Sequence, residues 1–216
     1  MKYKPLVIFG SGGHALSVAN VALSLGYKIQ CFVSPKDSRE FLHDIPIVSA
    51  LGSSLANSKI SCAVAVGDNY KRMELVKEIK SRYPNVEFPS LVHASSSIGF
   101  WSSLGMGSVV MQGGAVGANC TVGEFSVINT NATFDHDSSL GDFASIAPGA
   151  IIGGKVSVGE FSAIGLGAHV KNGIKVGEHA VIGASSLILK FVNDFEVVYG
   201  VPAQVVRKRY KGEPYL

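Results

Sequence analysis

The chain has 216 residues, 47% of them hydrophobic and 16% charged, with 25 glycines and a formal net charge of +3. That supports a sizeable core in one large domain or two small ones; the glycines follow no G-X-Y period, which excludes collagen, and the charge is too small and scattered for a nucleic-acid binder. No apolar run reaches the roughly 18 residues of a membrane span, and Cys31, Cys62 and Cys120, odd in number and without a CxxC pair, read as free thiols of a reducing cytoplasm.

The opening MKYKPLVIFGSGG carries a lysine pair and an apolar run of about five residues, short of the roughly 7–15 of a signal-peptide core. LVIFG (6–10) therefore reads as a buried first strand, followed by SGGH and the helical pattern ALSVANVALSLG, which ends at Gly26. KIQCFVS and SCAVAVG read as further strands, and NYKRMELVKEIKSRYP as a helix terminated by Pro84. Alternating strands and helices predict a small parallel sheet of Rossmann-like order. Gly10, Gly12 and Ala15 fit G-x-G-x-x-A, but Val33-Ser34-Pro35 stands where an acid would bind a ribose, which argues against NAD. What survives is a glycine turn that offers backbone N–H groups and a helix N-terminus to a phosphate. The alternative is a packing turn with no ligand.

Beyond residue 90 the period changes. Stepping by six from Val92 to Ile188, every position is aliphatic or Phe, and a glycine follows most of them, as at Gly99, Gly117, Gly153 and Gly183. Two places earlier the residue is almost always small (Cys120, Ser126, Ala132, Ser138), with Val156 and Ile174 as exceptions. A six-residue period fits neither a helix nor a plain strand. It predicts a three-walled coil that closes every 18 residues, with branched side chains on the axis, small residues where walls meet, and glycine tolerating the corner dihedrals. The segment holds about five and a half such coils, stacked at about 4.8 Å, with open ends that need caps and flat faces that invite oligomers.

One stretch departs from the repeat. In NTNATFDHDSSLG (129–141), positions 129 and 135, often glycine on this period, are Asn and Asp, and His136 and Asp137 follow. Two consecutive turns exchange structural residues for hydrogen-bonding ones, at a cost in repeat stability. Adding 18 to 136 gives Gly154, so the next coil has no side chain directly above His136. A zinc site is not indicated: His136, His169 and His179 fall at different places in the 18-residue frame and do not stack.

The hexapeptide pattern resembles that of the acyltransferases that form left-handed parallel β-helices, and the whole chain resembles the PglD/NeuD-type sugar acetyltransferases. GSGGHA matches their nucleotide-sugar turn, FDHDSSLGDFASIAPGA their active-site segment, and GVPAQVVR their C-terminal signature. The resemblance implies a Rossmann-like nucleotide-sugar domain (1–88), a left-handed β-helix acetyltransferase domain (89–192) and a C-terminal cap or tail (193–216). It implies a cytoplasmic homotrimer, with no membrane insertion and no metal, that binds acetyl-CoA between subunits and acetylates a nucleotide-linked amino sugar, a UDP-4-amino-sugar, for surface-glycan synthesis. On the same resemblance His136 is the general base and Asp137 its modulator, which suits proton removal from an amine near neutral pH. Ser145, Gly154, Leu166 and Ala184 would bind acetyl-CoA, the Gly154 N–H meeting the oxyanion. Gly12, Gly13, His14, Ser34, Gly67, Asp68 and Asn129 would surround the sugar nucleotide. Many relatives have a second His where this chain has Ser145, and an acidic pair where it has Ser34-Pro35. O-acetylation of a sialic acid is the alternative within the family, and a non-catalytic sugar-nucleotide sensor the alternative outside it. Lys190, Arg207, Lys208 and Arg209 would either reach coenzyme A phosphates or form a solvated tail.

Overall fold

The structure is a computed structural model that describes residues 4–52 and 59–215. Its first unit runs β1 (Lys4–Phe9), α1 (Gly13–Ser24), β2 (Tyr27–Val33), β3 (Phe41–Leu42), β4 (Ile45–Val48), β5 (Ile60–Val64), α2 (Asn69–Arg82) and β6 (Val86–Glu87). Leu6, Val7, Ile8 and Phe9 are all buried, as in a strand covered on both faces, and β1 lies between β2 and β5 in the order β3-β4-β2-β1-β5-β6. Gly10 is obligatory: its φ is +117° and a Cβ there would stand 2.6 Å from the Ala65 carbonyl oxygen.

The sheet is mixed, which corrects the all-parallel expectation. β3 and β4 pair antiparallel through His43 and Asp44, whose φ values of 47° and 62° make a two-residue turn with the twist a hairpin needs. No glycine marks that turn in the sequence.

From β7 (Leu91–Val92) to β23 (Leu187–Ile188) the chain winds as a left-handed parallel β-helix of two-residue strands. Wall 1 carries the strands that end at Val92, Val110, Ile128, Ile146, Ile164 and Ile182. Wall 2 runs from Ser97–Ile98 to Leu187–Ile188, and wall 3 from Ser103–Leu104 to Lys175–Val176. Val110 pairs with Val92 below and Ile128 above, so the register advances by 18 as the period requires. The second residue of each strand fills the axis, and Cys120, Ala132, Ala144 and Ala150 are fully buried at the edges.

Glycine has a different reason here from the one the sequence suggested. The glycines that follow the axial positions do not take left-handed dihedrals; a Cβ at Gly99, Gly105 or Gly159 would lie within about 2.6 Å of the next coil's backbone. The left-handed corners belong instead to residues such as Asn119, Phe125, Asp137, Lys155 and His179.

The outward residues of wall 1 are covered where it starts. Leu91, Val109 and Val127 pack with Ala15, Val18 and Ala22 of α1, which seats the first unit on the rod. Arg72 of α2, fully buried, locks the junction. Its guanidinium donates to the carbonyls of Val66, Gly67, Phe125 and Phe143 and to Asn69 Oδ1, at 2.8 to 3.0 Å. Phe125, Phe143, Phe161, His179 and Phe195 form a stacked ladder up the edge between walls 3 and 1, with ring centroids 4.7 to 5.5 Å apart.

At the far end β24 (Glu196–Gly200) adds parallel to Val181–Ile182, and β25 (Ala203–Lys208) returns antiparallel to it, closing wall 1 as the expected cap. Beyond β25 the tail folds back along wall 1, and Tyr215 packs on Ala163, Val181 and Val197. Arg207 bonds Glu213 at 2.7 Å and Arg209 reaches the His179 carbonyl, so both hold the tail in place.

Candidate active site

His136 stands at the edge where walls 2 and 3 meet. The next residue, Asp137, occupies a left-handed corner (φ 58°), a conformation that a short polar side chain tolerates, and its Oδ2 lies 2.8 Å from His136 Nδ1. An ionised carboxylate only accepts, so Nδ1 carries the proton and Nε2 is left with a free lone pair. Asn119, one coil below, donates to Asp137 Oδ1 at 2.7 Å; this bond first, and the histidine second, hold Asp137 below the ordinary carboxylate range. Asp135 Oδ1 accepts the His136 backbone N–H at 2.8 Å, and its second oxygen lies 3.9 Å from Nε2.

The stacking places Gly154 over the imidazole: a Cβ there would stand 2.5 Å from Nε2 and 2.7 Å from Cε1. The ring itself occupies the space that the missing side chain leaves. Among the described residues the Gly154 N–H donates to no backbone carbonyl, and Gly154 is buried with the His136 ring against it. Asn119 was not singled out from the sequence, although it lies 18 residues before Asp137 on the same frame.

A cleft of about 500 Å³ opens along wall 1 and its edge with wall 2. It gathers His14 and Gly67 from the first unit with Asn129, Ser145, Leu166 and Ala184 from the rod, six of the residues picked out by sequence. It also gathers Tyr199 and Tyr215, which sequence reading missed because both arrive from the C-terminal segment. Leu166 is 57% exposed, an apolar rim facing solvent.

Gly12 and Gly13 open α1 beside His14. No side chain caps that helix end, its first turn has no acid, and a Cβ on either glycine would meet nothing within 4 Å. The space in front of these free N–H groups suits an oxyanion. His14 Nε2 is buried without a partner among the described residues, and burial, with Arg72 nearby, pulls the His14 pKa down to about 4. The imidazole is therefore neutral near pH 7, with one ring nitrogen unpaired among the described residues.

Of the sequence-predicted residues, Gly12, Gly13, Ser34, Asp68, His136, Asp137 and Gly154 do not line this cleft. Ser34 lines a separate cavity of about 310 Å³ with Gly10, Pro35, Lys36, Val66 and Tyr83. Asp68 caps α2, accepting the Lys71 N–H at 2.9 Å, while its other oxygen is buried without a partner among the described residues.

Within one chain the cleft does not contain His136: it follows wall 1 and the 1–2 edge, whereas His136 lies on the 2–3 edge. Among the described residues no three His, Cys, Asp or Glu side chains are grouped to hold a metal ion, and no helix is long and apolar enough to cross a membrane.

Residues 5–79 match the family model described as PglD N-terminal domain. The acetyltransferase domain of PglB from Neisseria gonorrhoeae, in complex with acetyl coenzyme A, superposes with a TM-score of 0.86 at 30% identity, covering 95% of this chain and 100% of that one. PerB from Caulobacter crescentus, in complex with CoA and GDP-perosamine, superposes with a TM-score of 0.83 at 30% identity, covering 93% and 96%. WeeI from Acinetobacter baumannii shares the fold at 20% identity, with a TM-score of 0.83 over 94% and 100% of the two chains. A search of the curated proteins returns no significant match.

Proposed function

The chain belongs to the PglD/NeuD-type sugar acetyltransferases, which use acetyl-CoA, and from that premise we propose that it acetylates the amino group of a nucleotide-linked sugar with His136 as general base. The observation that carries this reading is the bare Nε2 of His136, oriented by Asp137 and held beneath Gly154.

The step balances as follows. The neutral amine attacks the thioester carbonyl carbon, and the N–C bond forms as His136 Nε2 takes the amine proton. Negative charge gathers on the carbonyl oxygen, and the Gly154 N–H, which has no backbone acceptor, is the donor assigned to it as the His136 ring shifts. The C–S bond then breaks, and the proton leaves the imidazolium for the coenzyme A sulfur. Asp137, kept ionised by Asn119, stabilises the imidazolium in between.

The cavities support the following proposed placement of the ligands. The helix end at Gly12 and Gly13 receives the diphosphate, and the cavity beside Ser34 receives the base. The orphaned nitrogen of His14, with Asn129, faces the sugar. The apolar rim of Leu166 and Ala184 takes the pantetheine arm, with Ser145 where acetyl and sugar meet. The resemblance favours UDP as the nucleotide; GDP is the one bound to the Caulobacter enzyme.

Catalysis needs two copies, because base and cleft lie on different edges of one prism. A cyclic assembly that sets the 2–3 edge of one copy against the 1–2 edge of the next completes each site, and three copies close the ring with one repeated interface. No membrane-spanning helix among the described residues and three buried free thiols fit the expected cytoplasmic setting.

Purified protein given acetyl-CoA and a panel of UDP-, GDP- and dTDP-linked amino sugars should release free thiol with a product heavier by one acetyl group. His136→Ala should abolish release and keep the oligomer. Unchanged turnover in that variant would remove His136 from the mechanism.

A further inference from the structure

The outward column of wall 1 reads Leu91, Val109, Val127, Ser145, Ala163, Val181 and has one polar member. Ser145 is 9% exposed and lines the cleft. Among the described residues its hydroxyl has a single partner, the Tyr215 hydroxyl at 3.3 Å, and that hydroxyl lies 3.1 Å from the Gly67 carbonyl oxygen.

The direction of this chain is forced. A carbonyl only accepts, so Tyr215 donates to Gly67; the one phenolic proton is then used, and Ser145 must donate to the phenolic oxygen. Gly67 is fixed in turn by Arg72, which donates to the same carbonyl at 3.0 Å. Ser145 Oγ is left with only accepting capacity toward the cleft. Asn129 differs. Its Nδ2 donates one hydrogen to the Ile146 carbonyl at 3.2 Å, which leaves Oδ1 and the second amide hydrogen, so Asn129 offers both an acceptor and a donor. An acceptor at Ser145, in an otherwise apolar wall 1 column, complements an N–H or O–H group and repels a carbonyl oxygen, since an unpaired acceptor facing an acceptor is costly.

We infer that Tyr215, carried in by the C-terminal tail, is a positioning residue that fixes Ser145 as a hydrogen-bond acceptor, and that Ser145 reads the amino group of the sugar and not the thioester carbonyl. This rests on the proposed function and sharpens it: the tail sets which functional group the enzyme selects. A ketone in place of the sugar amine presents an acceptor to an acceptor and is rejected.

The test compares wild type, Ser145→Ala and Tyr215→Phe with the amino-sugar nucleotide that wild type turns over, and with its keto analogue as competitive inhibitor. Tyr215→Phe keeps the ring on Ala163 and Val181, so the tail stays docked. Ser145→Ala should raise KM for the sugar about tenfold and leave KM for acetyl-CoA within about twofold. Tyr215→Phe frees the Ser145 proton, and the preference for amine over ketone should narrow about tenfold. A fall in kcat or a rise in acetyl-CoA KM for Ser145→Ala with sugar KM unmoved would assign the hydroxyl to the thioester and overturn the inference. An unchanged amine-to-ketone ratio in Tyr215→Phe would overturn it as well. Wild type that acetylates no sugar in the panel defeats the proposed function and this inference together, a result distinct from an active wild type with indifferent variants.

Discussion

Replacing Gly154 with alanine isolates the geometry on which the proposed chemistry depends. The backbone there is outside the left-handed region, so alanine meets no dihedral strain, but its Cβ would lie 2.5 Å from His136 Nε2 where ordinary contact begins near 3.4 Å. The ring must withdraw by about 1 Å, and its side chain, 49% exposed, is free to do so without disturbing the coil. A displacement of that size at a reacting group is worth about 10²-fold, or about 2.7 kcal/mol of barrier. Gly154→Ala should therefore lower kcat roughly a hundredfold while the thermal midpoint moves by no more than about 2 °C. Steady-state thiol release and a melting curve on the same preparation give both numbers. Full activity would show that the imidazole need not sit where the stack holds it. A collapsed midpoint would show that the contact is structural, and either result refutes the reasoning.

The proposed sharing of the site between copies predicts complementation. His136→Ala subunits and subunits whose cleft is filled by Ala184→Trp should each be inactive, yet mixing them through denaturation and refolding should restore about a quarter of the wild-type sites, as random cyclic assembly allows; no recovery would place base and cleft in one subunit. His14 predicts a pH signature in stability. Its pKa is about 4 in the folded chain against an ordinary 6.5, so between those values the unfolded state binds more protons and stability falls as pH drops. The contribution is complete above about pH 6.5 and is bounded by about 3 kcal/mol at the acid end. The urea midpoint of wild type should fall relative to that of His14→Gln as pH drops from about 6.5 to about 4; parallel curves would contradict the buried neutral imidazole.

The repeat could be read in the sequence because each axial position is close-packed on its own, so composition at every sixth residue records the inside of the prism. Outward positions carry a second record at every eighteenth residue. Leu91, Val109 and Val127 are apolar because α1 covers them, while Ser103, Thr121, Ser139 and Ser157 on wall 3 form a polar outer face. Asn119 beneath Asp137, and His179 in line with Phe125, Phe143 and Phe161, belong to the same longer frame and were legible in principle. The β3–β4 hairpin was not, since His43 and Asp44 enter left-handed dihedrals without the glycine that usually announces them.

The sequence by itself determined the prism, the coil length and the empty position above His136, because those follow from a strict period acting through local sterics. Only the tertiary structure decided that Tyr215 and Ser145, 70 residues apart, share a hydrogen bond, and that Arg72 of the first unit holds carbonyls of the rod. It also decided that the His136–Asp137 pair and the cleft lie on different edges. Such contacts depend on where the tail and the first unit come to rest, and no periodicity along the chain encodes a distance between segments that meet only after folding.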